Sequence, residues 1–165
     1  MTNMAKLVLL TVFASCVGHT QPLSEKDYIF GPLTIRAQIK DFLPQLGEPR
    51  RISVEDEPLT GGRVTIDGRD TVLAPEKFYI YEFDSLRVHT NGFGYIQYLK
   101  STKRGFVTPR GIQVGDSIRK IKDVYGQNPE TESPLGYVQE GVAMGIWFDL
   151  ANDKVIAVAM GSYIP

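Results

Sequence analysis

The residues of this chain that could take part in chemistry are few and widely spaced. Of its two histidines, only His89 lies in the stretch expected to fold, with Asp84 and Ser85 close to it in sequence. A nucleophilic triad requires a base that is oriented by an acid and placed against the nucleophile, and nothing in this spacing sets that geometry. We therefore predict that the protein is not an enzyme and that His89 is an exposed strand residue.

Candidate metal ligands are equally sparse. One cysteine and two histidines do not make the ligand set of a zinc site. Asp149, Asn152 and Asp153 resemble calcium ligands in type, but their spacing lacks the glycine and the terminal glutamate of a calcium loop. A turn between two strands explains these residues better, so we expect no metal and no cofactor.

Cys16 has the clearest chemical context. It closes an apolar run that begins at Leu7 and follows a short segment containing Lys6. This is the layout of a secretory signal, and the run is too short to cross a bilayer, which takes about 20 apolar residues. Residues 13–16, Phe-Ala-Ser-Cys, resemble a bacterial lipobox, in which the cysteine is lipidated and becomes the N-terminus.

The lipobox resemblance implies a lipid-anchored protein of the bacterial cell envelope, held by acyl chains on Cys16. Val17 follows the cysteine in place of the aspartate that marks inner-membrane retention, so the outer membrane is favoured. Two alternatives remain open. Cleavage by an ordinary signal peptidase would give a secreted or periplasmic protein, and Cys16 could instead be a buried free thiol.

Length and charge limit the remaining possibilities. The 165 residues, with 42% hydrophobic side chains, suffice for one globular domain with its own core. A net charge of −1 favours neither nucleic acid nor an anionic membrane surface as a partner. We predict a signal segment at 1–16, a tether at 17–32 and a single domain at 33–165.

The element around which the domain is organised is a short helix predicted between Gly111 and Gly126. Asp116, or Ser117 if the start lies one residue later, can cap its first turn, and Gly126 can end it. Apolar residues recur here at helical spacing and form one stripe. They are Ile118, Ile121, Val124 and Tyr125. A helix with one apolar stripe must lie on a sheet.

The same apolar spacing, again followed by a glycine, occurs earlier in the chain between Leu33 and Gly47. This match predicts an internal repeat. Pro44 lies inside the first copy, where it should kink the helix or end it early. Thr34 is the expected cap of that first helix.

Segments of strand character follow each predicted helix. In the second copy, 145–150 and 154–160 flank a short turn and predict a hairpin. The first copy offers 78–83, 86–89 and 95–99. Aligning the two hairpins matches Leu86 with Ile146, Val88 with Phe148, Ile96 with Ile156, and Tyr98 with Val158.

These elements predict the α+β class. Two tandem repeats, 33–104 and 105–165, would each supply a helix and an antiparallel hairpin to one antiparallel sheet with the helices on one face. The first repeat contains an insertion within 51–75, with a further strand predicted at 63–66.

The helix start Val-Gly-Asp-Ser at 114–117, the stop Tyr-Gly at 125–126, the hairpin after them and Cys16 resemble the β-lactamase-inhibitor-like fold. That superfamily includes secreted inhibitor proteins and small outer-membrane lipoproteins of the BamE and SmpA type. The resemblance, over roughly Leu33 to Gly161, implies a binding protein without catalysis that holds its partner on an open sheet face. This chain lacks the cysteine pairs of the secreted inhibitors.

Strand alternation then predicts which residues would form the binding face. If Leu86 and Phe148 face the helices, their neighbours point to the opposite side. The candidate binding residues are Arg87, His89, Tyr95, Trp147 and Asp149. Because Trp, Tyr and Arg dominate protein interfaces, we interpret this face as a partner site; the alternative is that Trp147 is core and that a bulge reverses the parity.

The predicted function is that of a lipid-anchored envelope protein acting as a non-catalytic protein-binding or assembly module, with an unidentified envelope protein as its partner. The alternative is an inhibitor or immunity protein that blocks an enzyme or toxin through the same face. A small-ligand carrier would instead require a deep pocket.

Overall fold

The structure is a computed structural model that describes residues 21–56, 62–66, 69–73 and 76–162. The predicted signal segment, the lipobox-like Cys16 and the first part of the tether lie outside these residues. In the part of the chain that is described, no helix has the length and hydropathy needed to span a membrane.

The described chain is mostly β. One antiparallel sheet of eight strands forms its body, and two separate two-stranded sheets accompany it. The strands are β1 (Ile29–Phe30), β2 (Leu33–Thr34), β3 (Arg51–Asp56), β4 (Gly62–Ile66), β5 (Arg69–Leu73), β6 (Lys77–Glu82), β7 (Leu86–Asn91), β8 (Ile96–Ser101), β9 (Thr131–Glu132), β10 (Leu135–Val138), β11 (Met144–Ala151) and β12 (Lys154–Ser162). The helices are α1 (Leu43–Leu46) and α2 (Ile118–Tyr125), and short 3-10 turns lie at Glu25–Asp27 and Ile39–Asp41.

The predicted α+β class is wrong, because the first predicted helix does not form. Its residues make a 3-10 turn at Ile39–Asp41 and then α1, a single turn of four residues. Pro44 lies in the first turn of α1, where its missing N–H leaves no hydrogen bond unmade. Thr34, the expected cap, belongs to β2. Within the described residues, α2 is therefore the one helix longer than a single turn.

α2 begins one residue later than its first predicted cap. Ser117 Oγ accepts a hydrogen bond from the N–H of Lys120 at 3.2 Å and is the cap. The Asp116 carboxylate instead accepts from the N–H of Gln113 at 2.9 Å and from the Lys120 ammonium at 2.8 Å. Gly126 ends the helix with a φ of 119°, which favours glycine.

The strand order of the eight-stranded sheet is β3-β6-β7-β8-β12-β11-β10-β9. β8 and β12 pair in the middle, and the order on either side of them is the same, so the sheet consists of two four-stranded halves. We call β3 and β6 to β8 the first half and β9 to β12 the second half. The predicted hairpin of the second half is present, and its turn residues Asn152 and Asp153 have the positive φ values of a tight hairpin turn.

The last hairpin of each half contains a bulge. Gln97 is the extra residue in the first half and Ile156 in the second, where Ile156 is 48% exposed. The turn before β8 is also longer than the turn before β12. Because the two bulges lie at equivalent positions, the longer turn is what shifts the second strand by one residue. The predicted matches of Ile96 with Ile156 and of Tyr98 with Val158 therefore fail.

The core lies between one face of the sheet and the segments that cover it. α2 buries Ile121 and Tyr125 against this face, and the Tyr125 ring lies 5.5 Å from Phe148 and 5.3 Å from Tyr137, measured between ring centres. The Tyr125 hydroxyl and the buried Thr108 hydroxyl are 3.0 Å apart. Strands β1 and β2 add further buried apolar residues to the same cluster.

The predicted tether at 17–32 is too long, because the chain is already folded within it: Tyr28 and Phe30 are buried in the core. Arg110 fixes this segment. Its guanidinium makes a two-point ion pair with Asp27 (Nε to Oδ1 2.6 Å, Nη2 to Oδ2 2.9 Å) and donates to the carbonyls of Gln21 (2.8 Å) and Pro22 (2.9 Å). Burial raises the pKa of Asp27, but the hydrogen bond from Arg110 and further hydrogen bonds outweigh it, so the pKa lies below its ordinary value.

Candidate binding face

The two faces of the eight-stranded sheet differ in what packs on them. Leu86, Val88, Ile146 and Phe148 belong to the core cluster that contains the buried residues of α2. Strand alternation places the intervening residues on the other side, which we call the open face. The predicted candidates on it are Arg87, His89, Trp147 and Asp149. Tyr95 lies in the turn before β8.

Trp147 is not the exposed aromatic residue that the sequence suggested, since it is only 5% exposed. Two glycines make room for its indole. A Cβ at Gly136, directly opposite on β10, would lie 2.6 Å from Trp147 Cδ1, and a Cβ at Gly145 would lie 2.8 Å from Cζ2. The indole therefore lies flat against the strand backbone. The alternative of a buried Trp147 is correct, but the parity is not reversed.

His89 is also buried, at 7% exposed, so the prediction of an exposed strand histidine is wrong. Its ring lies nearly parallel to Phe78, 5.9 Å away, and 5.1 Å from the Tyr98 ring. Neither ring nitrogen has a hydrogen-bond partner among the described residues. Burial lowers the pKa of His89 to about 4, and the charge of Arg87 acts in the same direction. The imidazole is thus neutral at pH 7, without the orienting acid that a catalytic base needs.

Four charged residues lie side by side across the first half of the open face. In register order across β3, β6, β7 and β8 they are Arg51, Glu82, Arg87 and Lys100. We call them the charged row. Arg87 Nη2 lies 3.0 Å from Glu82 Oε1, and Lys100 Nζ lies 2.7 Å from Asp149 Oδ2. The four side chains of these two ion pairs are each at least one-third exposed. The pairs therefore contribute little to folding stability and remain accessible to a partner.

The most exposed large apolar residue that the structure describes is Phe93, at 77% exposed, and the sequence reasoning missed it. It lies between β7 and β8 together with Tyr95, which is 43% exposed. The side-chain oxygen of Asn91 accepts hydrogen bonds from the N–H of Phe93 (3.1 Å) and of Tyr95 (3.0 Å), and Gly94 adopts a φ of 81°. We call residues 91–95 the aromatic turn. Its signal was present in the sequence, because Asn-Gly-Phe-Gly places an aromatic residue at the centre of a turn.

A cavity of about 310 Å³ lies between the β1–β2 hairpin and the turn before β11. Arg36, with a φ of 69°, contributes its Nη2 atom, which lies 3.5 Å from Met144 Sδ. The Tyr28 hydroxyl is buried with no hydrogen-bond partner in the described chain, and burial raises its pKa to about 12. The volume is at the lower limit of small-molecule sites, about 300–1,000 Å³. No group of His, Cys, Asp and Glu side chains in the described ranges could hold a metal ion.

Comparison of this chain with protein-family models, with curated proteins and with solved structures found no match. The resemblance to the β-lactamase-inhibitor-like fold therefore stays an expectation. The chemistry of the open face and of the aromatic turn is what bears on function.

Proposed function

We propose that this chain is a non-catalytic protein-binding or assembly module that contacts its partner through the aromatic turn and the charged row. The observation that carries the proposal is the exposure of Phe93 on a turn that Asn91 holds in place. Aromatic residues supply much of the binding energy at protein interfaces. A turn that is already fixed also loses little conformational freedom when a partner binds.

The aromatic turn and the charged row are connected along β7. Arg87, His89 and Asn91 alternate onto the open face, so the strand leads from the Arg87–Glu82 pair to the turn. The corresponding part of the second half presents mainly small residues around the buried Trp147. We therefore assign the partner contact to the first half, with an aromatic anchor at one end and paired charges at the other.

We further propose that Cys16 anchors the domain to a membrane of the cell envelope, more readily the outer than the inner. The support is the apolar run before Cys16 and the small residues next to it. Metabolic labelling with a radioactive fatty acid tests this point. Label on the wild-type chain that disappears in Cys16→Ser supports the anchor, and equal labelling of both chains contradicts it.

The binding proposal is tested by crosslinking in cells. A photoreactive amino acid replaces Phe93 in the full chain, and crosslinked species from the membrane fraction are identified by mass spectrometry. Ile156 is the matched control position, because it is an exposed apolar residue of the second half. We expect one discrete partner from position 93 and none from position 156.

Substitutions separate binding from folding. Phe93→Ser should reduce partner capture at least tenfold, as hot-spot residues do, while the urea midpoint stays unchanged because the side chain is exposed. Ile156→Ser is the control and should capture as the wild type does. Undiminished capture by Phe93→Ser would contradict the assignment. A partner enzyme or toxin that loses its activity in the complex would assign the inhibitor or immunity role instead.

A further inference from the structure

The two edges of the eight-stranded sheet are protected to very different degrees. β9, at one edge, has two residues and is followed by Pro134. β3, at the other edge, has six residues, and among the described strands it pairs only with β6. Very short strands and proline are devices that prevent an edge from pairing with another chain. β3 is longer and has no proline within its six residues, although Pro49 and Pro58 flank it in the sequence. The outer backbone groups of the strand itself are therefore open to a further strand.

The side chains of β3 are exposed as well. Ile52 and Val54 are each 53% exposed and lie next to each other on the face that carries α2. Arg51 and Glu55 lie on the open face, and neither has an ion-pair partner among the described residues. Two apolar and two charged side chains of this edge strand are thus exposed.

The sequence around β3 has residues of complementary charge or matching apolar character at positions that are symmetric about Ser53. Residues 50–56 read Arg-Arg-Ile-Ser-Val-Glu-Asp, which is two bases, an apolar residue, Ser53, an apolar residue and two acids. If a second copy of the strand runs antiparallel about a two-fold axis at Ser53, each base meets an acid and each apolar residue meets an apolar one. Such an interface between identical chains is self-complementary by symmetry.

The register centred on Ser53 follows from these pairs. It sets Arg51 opposite Glu55 of the second copy, and Ile52 opposite Val54 of the second copy. In an antiparallel strand the N–H and C=O of one residue point to the same side, and this register pairs outward-pointing residues with outward-pointing residues. Moving the axis to Ile52 would keep the backbone bonds, but it would place Arg51 opposite Ser53 and lose the charge match.

We propose that this chain forms a homodimer through antiparallel pairing of β3 with β3 of a second copy, which joins two eight-stranded sheets into one continuous sheet. The contact is made by one six-residue strand, well below the standard interface of about 1,600 Å². We therefore expect a reversible dimer with a Kd on the order of 10 μM. The dimer shares Arg51 with the charged row but leaves the aromatic turn free, because Phe93 lies in the β7–β8 turn and not on this edge.

The first test is disulfide trapping in the Cys16→Ser full chain, which leaves no other cysteine. Opposed residues at a two-fold axis in antiparallel strands have Cα atoms about 4.5–5.5 Å apart, within the range that a disulfide bridges. Ser53→Cys should therefore give a covalent dimer under mild oxidation. Glu55→Cys is the matched control on the same strand, and it should stay monomeric because its own counterpart lies away from the axis.

Charge exchange provides the second test. Arg51→Glu should weaken the dimer about tenfold in sedimentation velocity, since two like-charge contacts replace two ion pairs. Adding Glu55→Arg to that chain should restore wild-type affinity, because the ion pairs re-form with their signs exchanged. Circular dichroism of each variant controls for folding, and Phe93→Ser should dimerise normally whether or not it loses its partner.

Three results would overturn the proposal. They are a chain that stays monomeric at about 1 mM, far above the expected Kd, equal trapping of Ser53→Cys and Glu55→Cys, and a double exchange that fails to restore the dimer. A monomeric chain whose β3 crosslinks to a different protein would assign this edge to strand addition by that protein.

Discussion

The two halves of the sheet share one strand order but differ in what surrounds them. The second half is covered by α2, with its Ser117 cap and its two buried residues, and its edge strand is two residues long. The first half has no helix longer than the single-turn α1 among the described residues, and its six-residue edge strand is exposed. The difference shows that one strand order can serve both for packing and for presenting surface. The second half contributes more buried residues to the core than the first half, and the first half leaves a turn, a charged row and an edge accessible.

Equivalent positions of the open face make the same point in detail. Arg87 and Trp147 occupy corresponding places in β7 and β11, as do His89 and Asp149, two residues on. In the first half the ion-paired Arg87 comes before the buried ring of His89. In the second half the buried ring of Trp147 comes before the ion-paired Asp149. The buried ring of the first half is ionisable, whereas that of the second is not.

Removing the Arg110 guanidinium, which ties residues 21–27 to the segment before α2, should cause the largest loss of stability. Arg110→Ala leaves the Asp27 carboxylate, 7% exposed, without its ion pair. Loss of one partner of a buried pair costs about 3–5 kcal/mol in the free energy of unfolding. Arg87→Ala, which breaks a half-exposed pair of the first half, should change it by less than about 0.5 kcal/mol. Urea unfolding of both variants measures the contrast, and equal losses would contradict it.

His89 should make the first half sensitive to acid. The folded pKa of about 4 lies below the ordinary 6.5, so the fold favours the neutral ring. Stability is therefore fully present above pH 6.5 and is lost as the pH falls from there towards 4, with a total of about 3 kcal/mol.

His89→Phe keeps a ring between Phe78 and Tyr98 and should lose this part of the pH dependence. The measurement is the difference in urea-derived stability between wild type and variant at several pH values, so that titration of the carboxylates cancels. A difference that does not change between pH 7 and pH 4.5 would show that His89 is not buried in the neutral form.

Replacing Gly136 should destabilise the protein, whereas replacing Glu82, the residue at the equivalent position of the first half, should not. A Cβ at Gly136 would lie 2.6 Å from Trp147 Cδ1, so Gly136→Ala must displace the indole at a cost of about 1–3 kcal/mol. Glu82 occupies the equivalent place opposite Arg87, and Glu82→Ala should be nearly neutral because its ion pair is exposed. Tryptophan fluorescence should shift in the Gly136 variant alone, and an unshifted spectrum would count against the indole position.

The smallest expected effect concerns the cap of α2. Ser117→Ala removes the acceptor for the Lys120 N–H and should cost about 1 kcal/mol. Ser117→Asp retains a capping oxygen and is the control, with wild-type stability or slightly more expected from the helix dipole. Thermal unfolding measures both, and identical midpoints for Ala and Asp would show that the cap does not stabilise α2.

The sequence specified α2 because its apolar period, its cap and its final glycine agree with one another. The earlier segment showed the same apolar spacing but not the same structure. Ile39 is buried there, and Phe42 and Leu46 are partly buried against the core, yet they reach it from a 3-10 turn and a single helical turn. The apolar spacing identified which residues face inward. It did not distinguish one long helix from a 3-10 turn followed by the single helical turn that contains Pro44.

The sequence predicted which side chains point to the open face, but not how deeply they are buried. Alternation along β7 and β11 is a local property, so it correctly separated Arg87 and Trp147 from the core face. The burial of Trp147 depends on Gly136, which lies on a neighbouring strand and becomes its partner only through the register of β10 with β11. Phe93 was missed for a different reason, because strand alternation says nothing about the residues of the turn between β7 and β8.

The hydrogen bonds from Arg110 to the carbonyls of Gln21 and Pro22 keep this segment on the domain, and this limits the distance between the domain and Cys16. If acyl chains on Cys16 lie in a bilayer, five residue steps separate them from Gln21, and an extended chain spans about 3.3–3.6 Å per residue. The domain would then stay within roughly 18 Å of the lipid surface. Such a short connection would confine the domain to a thin layer above the membrane. There it would meet other membrane-bound proteins by lateral diffusion and not by diffusion through the surrounding volume.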